Sequence, residues 1–172
     1  MEMFTTAMDF YKKSLAENEE NFEALTGIAI CLLEQELFND SISYIHRALE
    51  LNETAPDAWV YLAEALTGID DTHGALLAYL KSIELDPNQP DTLMAIANIC
   101  MEQGEFSLAL QYYIEAERLD SDHELENIHL FMAVAYFKIG APEASEEALK
   151  KAVAENLDAL KLFRELCPES LE

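Results

Sequence analysis

Positive charge is what this sequence most lacks. Its lysines and arginines number 10 against 34 aspartates and glutamates, a formal net charge of −24. Between residues 14 and 137 the only bases are Arg47, Lys81 and Arg118, while Lys138, Lys150, Lys151, Lys161 and Arg164 gather near the end. Nucleic acids and anionic membranes both need a positive face. The balance therefore excludes nucleic acid as a partner and direct membrane binding as a mode of action. Long apolar runs are missing too; none approaches the roughly 18 residues of a membrane span. The opening MEMFTTAMDFYKK lacks the basic start and apolar stretch of a signal peptide. Glycine and proline number five each, too few for a loop-rich all-β chain. Cys31, Cys100 and Cys167 show no CxxC spacing, so buried reduced thiols are expected rather than disulfides or a metal site. Reduced thiols fit a cytoplasmic chain.

The signatures of chemistry are equally scarce. His46, His73, His123 and His129 include no pair at i,i+4. His123 and His129 flank a stretch with Asp122, Glu124 and Glu126, which reads as a solvated acidic turn in preference to a weak metal site. Gly27, Gly68, Gly74, Gly104 and Gly140 stand alone, so no phosphate-cradling loop exists, and no Gly-x-Ser-x-Gly elbow occurs. With so many carboxylates, accidental pairs are guaranteed and none is marked for acid–base work. The expectation is a protein that is not an enzyme and needs no cofactor.

What is there is a repeat. A chain of 172 residues that is 51% hydrophobic can bury a core and reads as a single domain over 1–172. Laid over itself at an offset of 34 residues, the stretch from Pro56 matches the stretch from Pro90. Trp59 falls on Leu93, Leu62 on Ile96, Ala63 on Ala97, Ala75 on Ala109, and Tyr79 on Tyr113. An earlier copy puts Leu25, Ile28, Ala29 and Ala48 in register. A later one, after two extra residues near 121–126, does the same with Met132, Ala133, Tyr136 and Ala152. Apolar residues within each copy step by three, four or seven, the spacing of a helix face. Asp70-Asp71, Gly104 and Gly140-Ala141-Pro142 break each copy into two helices. Pro56 and Pro90 suit first-turn positions, with Thr54 and Asn88 as nearby caps. Helix pairs are expected near 22–34 and 38–51, 56–68 and 72–85, 90–102 and 106–119, and 125–139 and 142–155. The repeats are then 22–55, 56–89, 90–125 and 126–157. Residues 3–17 read as the second helix of a truncated repeat, and 158–167 as a capping helix, apolar inward and polar outward.

A 34-residue helix-turn-helix period with these residues resembles the tetratricopeptide repeat. The pattern W-x2-L-G-x2-Y…A-x3-F…P reads here as Trp59, Leu62, Ala63, Leu66, Ala75, Tyr79 and Pro87. The resemblance implies an all-α, right-handed α-solenoid of stacked antiparallel helix pairs. It implies an interaction module whose first helices line a concave groove for a partner protein or peptide. Carried over residue by residue, the groove takes Thr26, Ile30 and Leu33, then Val60 and Glu64, then Met94, Asn98 and Met101, then Leu130, Val134 and Phe137. Asn98 is the expected specific contact, since an amide can bond a peptide backbone from both ends. One subfamily clamps acidic chaperone tails with Lys, Asn and Arg. The matching slots here hold Glu23, Thr26, Ile30, Tyr61, Asp91 and Ala95, so such tails are disfavoured. The partner is expected to carry apolar anchors and basic residues. Alternatives are a scaffold or regulatory region of a larger enzyme, receptor or secretion assembly, and self-association through the end helices.

The charge balance also makes a prediction. Self-repulsion among excess carboxylates should be relieved as the screening length falls to about 10 Å at 0.1 M salt. The melting temperature should rise from low to moderate salt in a differential scanning series. A flat or falling curve would contradict the charge argument.

Overall fold

A computed structural model describes residues 2–121 and 125–171, so the expectation for Asp122, His123 and Glu124 lies outside the described residues. Ten α-helices and one short 3-10 turn make up the regular structure of those residues. In order they are α1 (Glu2–Glu17), α2 (Phe22–Leu33), α3 (Phe38–Leu51), α4 (Pro56–Gly68) and α5 (Thr72–Leu85). There follow α6 (Pro90–Glu102), α7 (Phe106–Leu119), α8 (Ile128–Lys138), α9 (Pro142–Glu155) and α10 (Ala159–Leu166). They fall into two compact units, Met1–Pro87 and Asn88–Glu172. In the first unit α2 pairs with α3 and α4 with α5, while α1 packs on α2 and α3 on α4. In the second α6 pairs with α7 and α8 with α9, while α7 packs on α8 and α10 lies against α8 and α9.

Each pairing rests on small side chains. Ala29, Ala63, Ala97 and Ala133 occupy one slot of successive first helices and are fully buried. Opposite them stand Ser41, Ala75, Ala109 and Ser145, also buried. Where the slot holds serine, its hydroxyl finds the neighbouring helix: Ser41 Oγ donates to the Ala29 carbonyl at 2.9 Å and Ser145 Oγ to the Ala133 carbonyl at 2.8 Å. Cys167, immediately beyond α10, continues the alanine register and is fully buried. A larger close approach occurs at Gly27, where an added Cβ would lie 2.4 Å from the Tyr11 ring of α1.

The turn inside every repeat is one motif. Glu36, Asp70, Gly104 and Gly140 hold the same register position, and all have positive φ, between 59° and 78°. Beyond each, a backbone N–H reaches five residues back: Leu37 to Leu32, Asp71 to Leu66, Glu105 to Cys100, and Ala141 to Tyr136, at 2.8–3.0 Å. This is the helix-ending arrangement in which a left-handed residue lets the last carbonyls find donors.

Two local expectations are corrected. Thr54 and Asn88 do not cap α4 and α6. The cap positions are Ala55 and Gln89, neither of which caps a helix N–H with its side chain, and proline at the first turn removes one donor that would need a cap. Helix α8 begins at Ile128, not near 125, because Asn127 is left-handed at φ 60° and breaks the helical path. Side-chain caps do occur at Asn21, which accepts from the Ala24 N–H, and at Asp71, which accepts from the Gly74 N–H, both at 2.9 Å.

The shared turn predicts opposite signs for mirror substitutions. Left-handed backbone costs a residue with a Cβ about 1–2 kcal/mol, partly offset by the unfolded-state entropy of glycine. Glu36→Gly and Asp70→Gly should therefore each stabilise by about 0.5–1 kcal/mol, and Gly104→Ala should destabilise by about 1 kcal/mol. Denaturant titration of the three variants checks this.

Candidate partner-binding faces

In the first unit α2 and α4 lie side by side, and the residues expected to face a ligand sit on their shared side by helical register. Thr26, Ile30, Leu33 and Val60 are half-buried and Glu64 is exposed. The Thr26 hydroxyl donates to its own helix, to the Phe22 carbonyl at 3.0 Å, and Thr67 does the same to Ala63 at 2.9 Å. The apolar surface is therefore not interrupted by unspent hydroxyls. Around it the carboxylates crowd. Glu64 is exposed as a residue, yet desolvation of its carboxyl first, and then the charge of Glu34, push that group above the ordinary range. Tyr61 is raised by burial and by the charges of Asp57 and Glu64. Tyr79 is pushed up to about 12 by burial first and Glu64 second, with the neighbouring Thr67 side chain acting the other way.

In the second unit Met94, Asn98 and Met101 are half-buried along α6. Asn98 is less free than the sequence suggests. The Tyr113 hydroxyl donates to its Oδ1 at 2.5 Å, so the amide keeps its donor end for another molecule but has one acceptor position filled. Tyr113 itself stacks on Phe131, ring centres 6.1 Å apart.

The expectation for α8 needs correction. Leu130 and Val134 are 2% and 5% exposed and offer no surface to a ligand. Phe137, on the same stripe, meets Phe163 of α10 edge-on at 5.8 Å. Lys138, the last residue of α8, is bound to Glu169 just after α10. The capping helix thus lies against the part of the array where the sequence places open apolar floor.

One polar cluster escaped the sequence reading. His129 is buried, not part of a solvated turn. Its Nε2 lies 2.8 Å from Glu117 and its Nδ1 2.7 Å from Glu155, while Lys151 Nζ reaches Glu117 at 3.2 Å. Burial raises the Glu117 carboxyl, but bonds from His129 and Lys151 outweigh it and hold the group below its usual value. The available signal was register: His129 occupies the slot of Leu25 and Leu93, where an apolar residue belongs. Beside it opens a cleft of about 400 Å³ with Asp120, Glu126, Asn127 and Asn156 on its walls. Among the described residues no group of three or more His, Cys, Asp or Glu is arranged to hold a metal ion. Nor is any described helix long and apolar enough to cross a membrane. The three cysteines are free and buried.

Helix pairs closed by alanine slots, repeated at a fixed period, define a class: all-α repeat proteins of the helical solenoid kind, which act by binding other proteins. The family follows from direct comparison. Tetratricopeptide repeat models match residues 26–90 and 92–125, together more than half of the chain. The chain belongs to the tetratricopeptide repeat family. It is 31% identical over 142 residues to the TPR repeat-containing protein YpiA of Bacillus subtilis (strain 168), a match spanning 74% of this chain and 33% of YpiA. The chain spans between 19% and 33% of the length of the curated relatives it matches. Among solved structures, MamA superposes with a TM-score of 0.80 at 23% identity, covering 92% of this chain and 91% of that one. YrrB, described as a TPR protein with an unusual peptide-binding site, superposes with a TM-score of 0.77 at 20% identity, covering 94% and 84%.

The raised Glu64 gives a pH prediction. A carboxyl whose folded pKa exceeds its unfolded value supports the fold while protonated, and that support is lost as pH rises through the folded pKa. At pH 7 the ionised Glu64 is therefore a liability, which Glu64→Gln removes. The variant should melt above wild type at neutral pH, with the advantage shrinking as pH falls into the carboxylate range. Identical melting temperatures at pH 7 would contradict it.

Proposed function

We propose that the chain is a non-catalytic binding module that takes up a partner segment on the faces of its first helices. The segment presents apolar anchors with Lys or Arg between them. One observation carries the reading: in the first unit half-open Ile30, Leu33 and Val60 lie among Glu34, Asp57 and Glu64, and the Glu64 carboxyl is pushed up by burial first and by the charge of Glu34 second. A cationic side chain placed beside Glu34 and Glu64 relieves that crowding, whereas an acidic partner worsens it. Affinity then comes mainly from the apolar anchors, and encounter rate from the charges. On the second unit Met94 and Met101 give a surface that repacks around varied side chains, and the Asn98 amide offers a donor to a peptide carbonyl. Leu130, Val134 and Phe137 drop out of this reading, since they are buried or engaged by α10. A second reading, a scaffold segment within a larger protein or assembly, is favoured by the short span of this chain on its curated relatives.

A displayed random-peptide library panned on the chain tests the proposal. Recovered peptides should combine apolar residues with Lys or Arg and contain few acids. Replacing Asp57 and Glu64 by Lys should slow association and flatten its salt dependence, and Met94→Ala should speed dissociation. If recovered peptides bind these variants as they bind wild type, the first-helix faces are not the site.

A further inference from the structure

The third repeat carries a hydroxyl–amide pair that the other three complete repeats lack. Asn98 and Tyr113 correspond by register to Glu64 and Tyr79 in the second repeat. In the first they correspond to Ile30 and Ile45, and in the fourth to Val134 and Leu149. Tyr113 is fully buried, so its hydroxyl proton needs an acceptor within the protein. Asn98 Oδ1 supplies one at 2.5 Å. The opposite orientation of the amide would leave that proton without an acceptor, because an NH2 group only donates. Tyr113 therefore fixes which way the amide faces. Among the described residues none accepts a hydrogen bond from Asn98 Nδ2, and that nitrogen is not closed off from solvent. The tyrosine ring is held in turn by Phe131 of α8, which stacks on it within 11° of parallel. Burial first, and then the proximity of Cys100 and Glu102, push the hydroxyl up, so it keeps its proton and remains a donor.

The second repeat has the opposite arrangement. Tyr79 is buried as well, but Glu64 stands at the Asn98 position, near enough for its charge to act on the hydroxyl. An ionised carboxylate only accepts. Equivalent positions of the two repeats thus offer a ligand an acceptor at Glu64 and a donor at Asn98. We infer that Tyr113 is a positioning residue that turns the donor end of Asn98 to the partner, so that the third repeat selects a carbonyl oxygen of the bound segment. The inference rests on the binding-module reading. A Lys or Arg over Asn98 would set donor against donor, so the basic residues of the segment belong beside Glu34 and Glu64 instead.

Fluorescence anisotropy with a labelled peptide, recovered by panning the displayed library on wild type, tests this. Asn98→Asp keeps the shape and the bond from Tyr113 but puts an acceptor where the open donor was. It should weaken the peptide about tenfold or more. Tyr113→Phe keeps the stacked ring and lets the amide take both orientations, which should weaken binding about twofold as the competent population halves. In an Asn98→Ala background Tyr113→Phe should have no further effect, because it acts through Asn98. The side-chain amide resonances of Asn98, assigned by their loss in Asn98→Ala, should shift when peptide is added. Replacing the peptide's own Asn and Gln residues by Ala separates the two sources of carbonyl. Affinity retained assigns a main-chain carbonyl, and affinity lost to the level of Asn98→Ala a side-chain one. If Asn98→Asp and Asn98→Ala bind as wild type does, the inference is overturned while the binding-module reading stands. The same holds if Tyr113→Phe weakens binding equally in both backgrounds, since that outcome belongs to a purely structural role. If panning on wild type yields no peptide, both fall.

Discussion

Two helices can cross at close range only where neither side chain at the crossing exceeds a methyl or hydroxymethyl group, and this molecule meets that condition at each pairing. Ala29, Ala63, Ala97 and Ala133 face Ser41, Ala75, Ala109 and Ser145, all excluded from solvent. The close crossing fixes which faces of the two helices look outward. It also explains the buried serines. A hydroxyl at the crossing is tolerated because a carbonyl of the partner helix accepts its proton, so no polar group is left unpaired. A bulkier residue such as leucine in place of Ala97 would force the pair apart, a change that overpacked sites meet at a cost of about 1–3 kcal/mol.

The crossing explains why so much was legible in the residues. A slot that tolerates only one size of side chain repeats visibly, and the period of 34 with its two-residue extension emerges from alanines alone. Helix bounds followed, because the turn between paired helices sits at a constant distance from the crossing. Less legible was how that turn is made. Gly104 and Gly140 announce a left-handed residue, but Glu36 and Asp70 adopt the same conformation without glycine. There the register of the whole repeat overrides local preference. The capping positions failed for a related reason: proline at the first helical turn reduces the demand for a cap, so Thr54 is left to bond Asn52 instead.

The candidate faces were legible in proportion to how local they are. Ile30, Leu33, Val60, Met94 and Met101 are half-buried, as their place on the first helices implies. Leu130 and Val134 look identical in sequence but are buried. Their fate depends on what else packs in their unit, where α10 lies against α8, and periodicity within one repeat carries no such information. Asn98 likewise loses an acceptor position to Tyr113, 15 residues away. His129 shows the reverse failure. Judged by its acidic neighbours in sequence, it belonged to solvent. Its apolar register slot decided instead, and Glu117, Glu155 and Lys151 gather around the ring that slot buries.

Charge and apolar surface are distributed so that each limits the other. An open stripe such as Ile30, Leu33 and Val60 would invite a second copy of the same chain to dock face to face. Carboxylates beside the stripe oppose this, because like charges brought together across an interface are costly. The rim that discourages self-docking there is the feature that would favour a basic partner. Within the fold the Glu64 carboxyl is pushed up, by burial first and by the neighbouring Glu34 second. Near α10 the balance differs, since Lys161 and Arg164 stand beside exposed Leu157 and Leu160. The carboxylates beside the first-helix faces thus oppose docking of a second copy on the stripe that an apolar and basic segment would fit.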